Sequence, residues 1–150
     1  YCPQAKISVL SNSTFIHRPK IHEALAKVDN NILKLDTINA EYINKVDRPT
    51  QPSYDVNRII ADIKSFNGQA IIQTMFMKGT TEGGYDVDNT TEAFVAPWLE
   101  TIKEIAPREV MIYTIDRETP DLHLQKATHE ELDAIRDRVI ALGIPCTASY

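Results

Sequence analysis

The sequence has only two cysteines, Cys2 and Cys146, and they lie near its opposite ends. Two lone thiols make neither a disulfide framework nor a multi-cysteine metal site. The scarcity of cysteine therefore argues against a small secreted domain held together by disulfides. We expect a protein of the reducing cytoplasm.

Long apolar runs and an excess of basic residues are also missing. No hydrophobic stretch approaches the roughly 18 to 20 residues needed to cross a bilayer. The formal net charge is −5 over 150 residues, whereas a surface that binds nucleic acid without regard to sequence needs clustered Lys and Arg. We therefore expect neither a membrane protein nor a general nucleic-acid binder. A nucleic-acid substrate docked through another domain is compatible with this composition.

The motifs of several common enzyme classes are absent as well. The sequence contains no Gly-x-Gly-x-x-Gly, Walker A or Gly-x-Ser-x-Gly pattern, so phosphate-loop and Ser–His–Asp chemistry have no local support. Its four histidines, His17, His22, His123 and His129, include no pair at metal-ligand spacing. We predict no metal site among them.

The composition that remains is that of one globular domain, with 43% hydrophobic and 25% charged residues. The chain begins Tyr1-Cys2-Pro3, without an initiator methionine and without the charged and apolar regions of a signal peptide. We therefore expect a chain that starts inside a longer protein or after processing. We expect residues 1–150 to form a single domain.

Short β-branched runs alternate with helical patterns along the whole chain. The predicted strands are residues 6–11, 32–36, 69–77, 110–115 and 144–148. The predicted helices open at 18–19, 40, 56, 89–92 and 128–131, the last two with capping boxes. The connections include a rigid turn at 47–52 and loops at 78–88 and 116–127. This rhythm predicts an α/β fold with a parallel sheet and right-handed crossovers. A doubly wound sheet and a barrel segment both fit, but the strands are too few for a closed barrel.

Ligands of parallel α/β folds lie at the carboxyl ends of the strands, which directs attention to Lys34 and Asp36. Strand alternation puts these two side chains on one face and Leu33 and Leu35 on the other. A lysine inside a barrel needs a carboxylate or a ligand. Two interpretations remain open: an ion pair that satisfies itself, or a pair that holds a zwitterionic ligand. Gln73 shares a strand face with two methionines, which are more often core residues than cofactor contacts.

Five segments resemble, in order, parts of radical S-adenosylmethionine (SAM) enzymes. Ile7–Thr14 resembles the third barrel strand, Ile32–Asp36 the fourth, Thr74–Gly79 the fifth, and Tyr113–Pro120 the sixth strand with its loop. Asn44–Pro49 resembles the segment after the fourth strand in the branch that includes tRNA wyosine-synthesis enzymes and activating-enzyme-like proteins. The order and spacing of these segments carry the resemblance, which spans essentially the whole chain.

The resemblance implies the C-terminal part of a partial (β/α) barrel, strands three to six, in an oxidoreductase. In this family SAM lies across the strand ends, bound to the open iron of a [4Fe–4S] cluster. Electron transfer from the cluster yields a 5′-deoxyadenosyl radical, which abstracts hydrogen from the substrate. The implied cofactor-binding residues are Ser11, Asn12, Lys34, Asp36, Gln73 and Arg117. The fourth strand of the family more often carries Ser-x-Asp or Asp-x-Lys, so Lys34 departs from its pattern.

The cluster motif of the family, Cys-x-x-x-Cys-x-x-Cys, does not occur here, and neither does its Gly-Gly-Glu-Pro motif. We therefore expect that this chain does not ligate the cluster and is inactive alone, and we assign it no catalytic residue. The resemblance implies a reducing partner such as flavodoxin or ferredoxin. The substrate, whether small molecule, protein or RNA, stays unidentified.

Two other functions are compatible with the residues. One is a (β/α) lyase or aldolase-like fragment that uses Lys34 as an amine nucleophile with a lowered pKa, although Asp36 beside it would raise that pKa. The other is a non-catalytic α/β interaction module. If the chain is a truncated barrel, as the resemblance implies, its first strand at 6–11 would leave an unpaired sheet edge, and such edges recruit other chains. We therefore expect self-association.

Overall fold

A parallel sheet of five strands forms the centre of the computed structural model, which describes residues 2–51, 53–117, 119 and 121–150. Pro52, Glu118 and Pro120, which belong to the turn and loop predicted above, lie outside the described residues. The strands are β1 (Ser8–Ser11), β2 (Asn30–Lys34), β3 (Ile71–Met75), β5 (Glu109–Tyr113) and β7 (Cys146–Ser149). They lie side by side in sequence order, and every neighbouring pair is parallel. A separate antiparallel ribbon pairs β4 (Met77–Gly79) with β6 (Leu124–Lys126).

Helices form the crossovers between the strands, mostly where the sequence predicts them. They are α1 (Pro19–Leu25), α2 (Ala40–Tyr42) with a π-helical turn (Ile43–Asp47), α3 (Val56–Lys64), α4 (Glu92–Ile105) and α5 (His129–Ala141). The capping box predicted at α5 is confirmed, since Thr128 and Glu131 accept each other's backbone N–H groups. Among the described residues no helix is both long and apolar enough to span a membrane.

One face of the sheet carries the hydrophobic core. Leu33, Ile72 and Ile112 are at most 1% exposed and pack with the helices in one continuous cluster. Its helical members come from α1, α3, α4 and α5, and include Leu25, Ile63, Trp98, Ile102, Leu132 and Val139. The helices therefore cover one face only and the strand order does not reverse, which confirms the predicted barrel segment over a doubly wound sheet.

The backbone carbonyl of Leu35, just beyond β2, accepts two hydrogen bonds from side chains on other elements. Thr74 Oγ1 donates to it from β3 at 2.7 Å, and Trp98 Nε1 donates to it from α4 at 3.3 Å. The Trp98 ring also packs edge-on against Phe76. The carboxyl end of β2 is thus tied both to the neighbouring strand and to the helix layer.

The ribbon of β4 and β6 and the start of α4 correct three sequence predictions. Residues 69–77 were predicted as one strand, but Met77 already belongs to the ribbon, and β6 lies in a predicted loop.

The capping box predicted at 89–92 was wrong, because α4 starts after Thr91 without a side-chain cap. Asn89 is buried instead, where its amide accepts from Met77 N and donates to Met75 O, both at 2.8 Å. Its polar side chain satisfies the backbone where β3 gives way to β4.

Strand β1 forms one edge of the sheet, as predicted. Beside it, Ile7 is 60% exposed and Leu10 is 63% exposed. Apolar side chains next to unpaired backbone groups are the features that recruit further strands. Self-association through this edge stays a prediction.

We predict that Gly79→Ala destabilises the protein more than Gly84→Ala. Both glycines have positive φ angles, +97° and +75°, which cost an alanine about 1 to 2 kcal/mol. At Gly79 an added Cβ would also lie 2.1 Å from the carbonyl oxygen of His123, whereas nothing lies within 4 Å at Gly84. Urea unfolding should show a loss of roughly 2 to 5 kcal/mol for Gly79→Ala and about 1 to 2 kcal/mol for Gly84→Ala. Equal losses of unfolding free energy would show that the ribbon accommodates the added methyl group without cost, which would contradict the prediction.

Candidate functional site

Lys34 and Asp36 form an ion pair at the carboxyl end of β2, with 3.2 Å between Nζ and Oδ2. They lie on the sheet face opposite Leu33 and Leu35, as strand alternation predicts. The second carboxylate oxygen of Asp36 accepts the backbone N–H of Met75 at 2.7 Å, across to β3. The Asp36 side chain is 9% exposed and that of Lys34 is 33% exposed. The amine therefore reaches solvent, while its carboxylate partner is held inside.

Burial and pairing act on this pair in opposite directions. Burial disfavours the charged amine of Lys34, but the Asp36 carboxylate and the Tyr113 hydroxyl outweigh it, so the pKa of Lys34 is raised. Burial also raises the pKa of Asp36, although Lys34 and the Met75 N–H act against it. Lys34 is therefore protonated at neutral pH. The raised pKa is opposite in direction to the lowered pKa on which the amine-nucleophile interpretation of the sequence depends.

A cavity of about 330 Å³ opens at the Lys34–Asp36 pair. This volume lies within the range of small-molecule sites, though near its lower end. Its lining comes from the turn after β1, the end of β2, the π-helical turn and the end of β3. The residues are Asn12, Thr14, Lys34, Leu35, Asp36, Thr37, Val46, Asp47, Pro49, Tyr54 and Met75.

The turn after β1 is fixed by local hydrogen bonds. Asn12 Oδ1 accepts Thr14 N, and Ser11 Oγ accepts Ser13 N. Ser13, in a left-handed conformation with φ of 66° and fully buried, donates its hydroxyl to the carbonyl of Lys34 at 2.9 Å. This bond joins the ends of β1 and β2. It holds Asn12 at the cavity.

The structure brings together three of the six residues predicted to bind the cofactor, Asn12, Lys34 and Asp36. Ser11 pairs in register with Leu33, so its side chain lies on the helix-covered side and braces the turn. Gln73 pairs with Lys34 and shares its sheet face, but it does not line the cavity.

Arg117, the sixth predicted residue, is exposed in the loop beyond β5 and does not line the cavity. A role for Ser11, Gln73 or Arg117 in cofactor binding stays a prediction.

Two lining residues that the sequence analysis did not select are Asp47 and Tyr54. Asp47 ends the π-helical turn just before Arg48, whose left-handed backbone has a φ of 46°. Desolvation of its carboxyl group and the nearby Asp36 raise the pKa of Asp47 to about 7, with Lys34 acting against them, although the residue as a whole is exposed. Burial raises the pKa of Tyr54 to about 12, and Asp47 and Asp36 add to the shift. The only signal in the sequence was an acidic residue directly before Arg-Pro.

The cavity thus combines one ammonium group, two carboxyl groups and a phenol. Lys34 can donate hydrogen bonds to a carboxylate, while Asp36 and Asp47 can accept them from an ammonium or hydroxyl group. Such a set fits a small ligand that carries both charges.

No family model matches the chain. Two curated relatives, both described as "UPF0026 protein" and both from Helicobacter pylori strains, are 30% and 29% identical over 116 residues. The matched region is 75% of this chain and 34% of each relative, so the chain spans about a third of the length of the curated relatives it matches.

Three solved structures share the fold over nearly the whole chain. A radical SAM methyltransferase from Sphaerobacter thermophilus is 16% identical with a TM-score of 0.67, covering 96% of this chain and 40% of its own. SuiB from Streptococcus suis, solved with S-adenosylmethionine, is 13% identical with a TM-score of 0.67, covering 97% and 33%. A domain of pyruvate-formate lyase-activating enzyme from Bacteroides vulgatus is 13% identical with a TM-score of 0.64, covering 92% and 78%. The chain therefore shares the fold of part of each of these three structures.

We predict that Asp47→Asn stabilises the protein more at pH 8 than at pH 4. The pKa of Asp47 is about 7 in the folded state, against an ordinary value of 3.8. Between these two pH values the carboxyl group is protonated in the folded protein and ionised in the unfolded chain. Ionised Asp47 therefore destabilises the folded state by an amount that grows from about pH 4 to pH 7 and then stays constant. Asparagine is neutral throughout, so the difference in melting temperature between variant and wild type should grow over this range. The exposed Asp116→Asn is the control, and a difference that does not change with pH would contradict the prediction.

Proposed function

We propose that this chain is the SAM-binding C-terminal part of a radical SAM enzyme that acts on a substrate still to be identified. The observation that carries the proposal is the position of the Lys34–Asp36 pair. It occupies a cavity at the carboxyl ends of the strands, the end at which parallel α/β folds bind their ligands. The shared fold with SuiB, which was solved with SAM, supports the choice of ligand.

The residues of the cavity fit the amino-acid end and the ribose of SAM. Lys34 would donate hydrogen bonds to the carboxylate of the methionine moiety. Asp36, fixed by Met75 N, would accept from its ammonium group or from a ribose hydroxyl. Asn12, held at the mouth of the cavity by its turn, would contribute an amide that both donates and accepts. When bound and reduced, SAM supplies the 5′-deoxyadenosyl radical that takes hydrogen from the substrate.

The residues of this chain do not fit an iron–sulfur cluster. Cys2 is exposed and Cys146 is half-buried on β7, and no third cysteine exists in the sequence. Among the described residues no group of three His, Cys, Asp or Glu side chains could hold a metal ion. The cluster that reduces SAM must therefore be ligated by another part of the protein or by a partner, and a carrier such as flavodoxin or ferredoxin would reduce it.

A second groove shares a wall with the cavity and is the proposed approach for the substrate. Its volume is about 630 Å³, and Asn44, Lys45 and Arg48 line it, whereas Val46 and Asp47, between them in the chain, line the cavity. Glu82 and Tyr85 lie across the groove, in the loop after β4. A substrate there would be separated from the cavity only by the segment 44–49.

We predict that Asp36→Ala weakens SAM binding about tenfold to hundredfold, because a hydrogen bond to a charged group contributes roughly 1.5 to 3 kcal/mol. Isothermal titration of the cluster-reconstituted, full-length protein would measure the dissociation constant. The cluster's absorbance should stay unchanged, since Asp36 is not a ligand of iron.

The matched control is Asp137→Ala, which removes a carboxylate that is 65% exposed on α5. Wild-type SAM affinity in Asp36→Ala would reduce Asp36 to a structural partner of Lys34. A wild-type protein that neither binds SAM nor forms 5′-deoxyadenosine when reduced would refute the proposed function itself.

A further inference from the structure

A second cavity lies at the opposite, amino-terminal end of the sheet, away from the Lys34–Asp36 pair. Its volume is about 320 Å³, comparable to that of the first cavity. It opens between the carboxyl ends of α1 and α3, above the start of β2. His22, Ser65, Phe66, Gln69 and Arg108 contribute to its lining. The proposed SAM chemistry makes no use of this cavity.

Asn31 also lines this cavity, and its amide is unsatisfied. The residue is 3% exposed on β2. Among the described residues neither its amide nitrogen nor its amide oxygen has a hydrogen-bond partner. A buried polar group without a partner costs about 1 to 3 kcal/mol. A leucine of similar shape would avoid this cost, so an asparagine on the core face requires an explanation outside packing.

The wall of the cavity is built from polar contacts between elements. His22 of α1 stacks on Phe66 at 4.1 Å between ring centroids, and its Nε2 lies 2.8 Å from Ser65 Oγ at the end of α3. Arg108 donates to the backbone carbonyl of Asp29 at 3.0 Å and to the side-chain oxygen of Asn30 at 2.7 Å. The aromatic pair bridges the two helices above Asn31, and the guanidinium joins the loops before β2 and β5.

We propose that this cavity binds a neutral, planar ligand that carries an N–H donor beside a hydrogen-bond acceptor, as a primary carboxamide or the edge of a purine does. A primary amide such as that of Asn31 pairs with this edge through two hydrogen bonds. The opposite charges of Arg108 and Asp29, which both line the cavity, favour a ligand without net charge. The His22–Phe66 pair supplies a flat aromatic wall. Both amide atoms of Asn31 are shielded from solvent in this structure, so binding requires the side chain to turn toward the ligand.

Nitrogen-15 NMR of the Asn31 side-chain amide tests the proposal, with nicotinamide as the carboxamide probe and adenosine as the purine probe. Millimolar concentrations of one or both probes should shift the Asn31 NH₂ resonances. The probe that shifts them shows whether a carboxamide or a purine supplies the donor and acceptor that pair with Asn31. Asn31→Leu should weaken the binding of that probe at least about tenfold, since two hydrogen bonds are lost.

Two controls separate this cavity from the SAM cavity. Asp36→Asn should leave the binding at Asn31 unchanged, so failure of one proposal does not affect the other. Asn57→Leu, at an exposed position of α3, controls for the change from amide to alkyl side chain. An Asn31 resonance that shows contact with water only and shifts with neither probe would overturn the proposal. So would probe binding that survives Asn31→Leu.

Discussion

The side chains of β2 alternate between two environments, and the site depends on that alternation. Leu33 and Leu35 pack under the helices, which turns Lys34 and Asp36 toward the open face. A slip of one residue would exchange the two sets and bury an ion pair beneath Trp98. The hydrophobic core therefore specifies the register of the strand, and the register specifies the site. Both leucines act through the register of the strand, which determines where the charges lie.

The carboxylate of Asp36 connects this register to the neighbouring strand. One oxygen pairs with Lys34 and the other accepts the Met75 N–H, so this carboxylate links β2 to β3. Asp47 approaches the same cavity from the π-helical turn and is partly neutralised by its raised pKa. The cavity thus offers one permanent cation, one fixed acceptor and one carboxyl group whose charge is adjustable near neutral pH.

Local patterns were sufficient to predict the parallel strands, whereas the barrel arrangement followed from the resemblance. Alternation placed Lys34 and Asp36 correctly, and Thr128 and Glu131 marked the start of α5 because capping depends on residues three apart. The ribbon was not predictable in this way, because Gly79 and Leu124 are far apart in the chain and each segment is only three residues long. Asp47 was missed for a related reason. Its proximity to Asp36 depends on a π-helical turn and on the left-handed backbone of Arg48. Neither feature is marked by a periodic pattern of residues in the sequence.

The two hydrogen bonds to the Leu35 carbonyl affect the order in which contacts form while the chain is being synthesised. Its two donors are Thr74 and Trp98, which lie 39 and 63 residues further along the chain. A nascent chain emerging from the ribosome exposes β2 and its ion pair well before either donor has been synthesised. Contacts over such separations form late, because the intervening loop must first be closed. Lys34 and Asp36 are therefore translated well before the side chains that hold the end of β2 in place, and during that interval β2 can pair with β1 but not with β3.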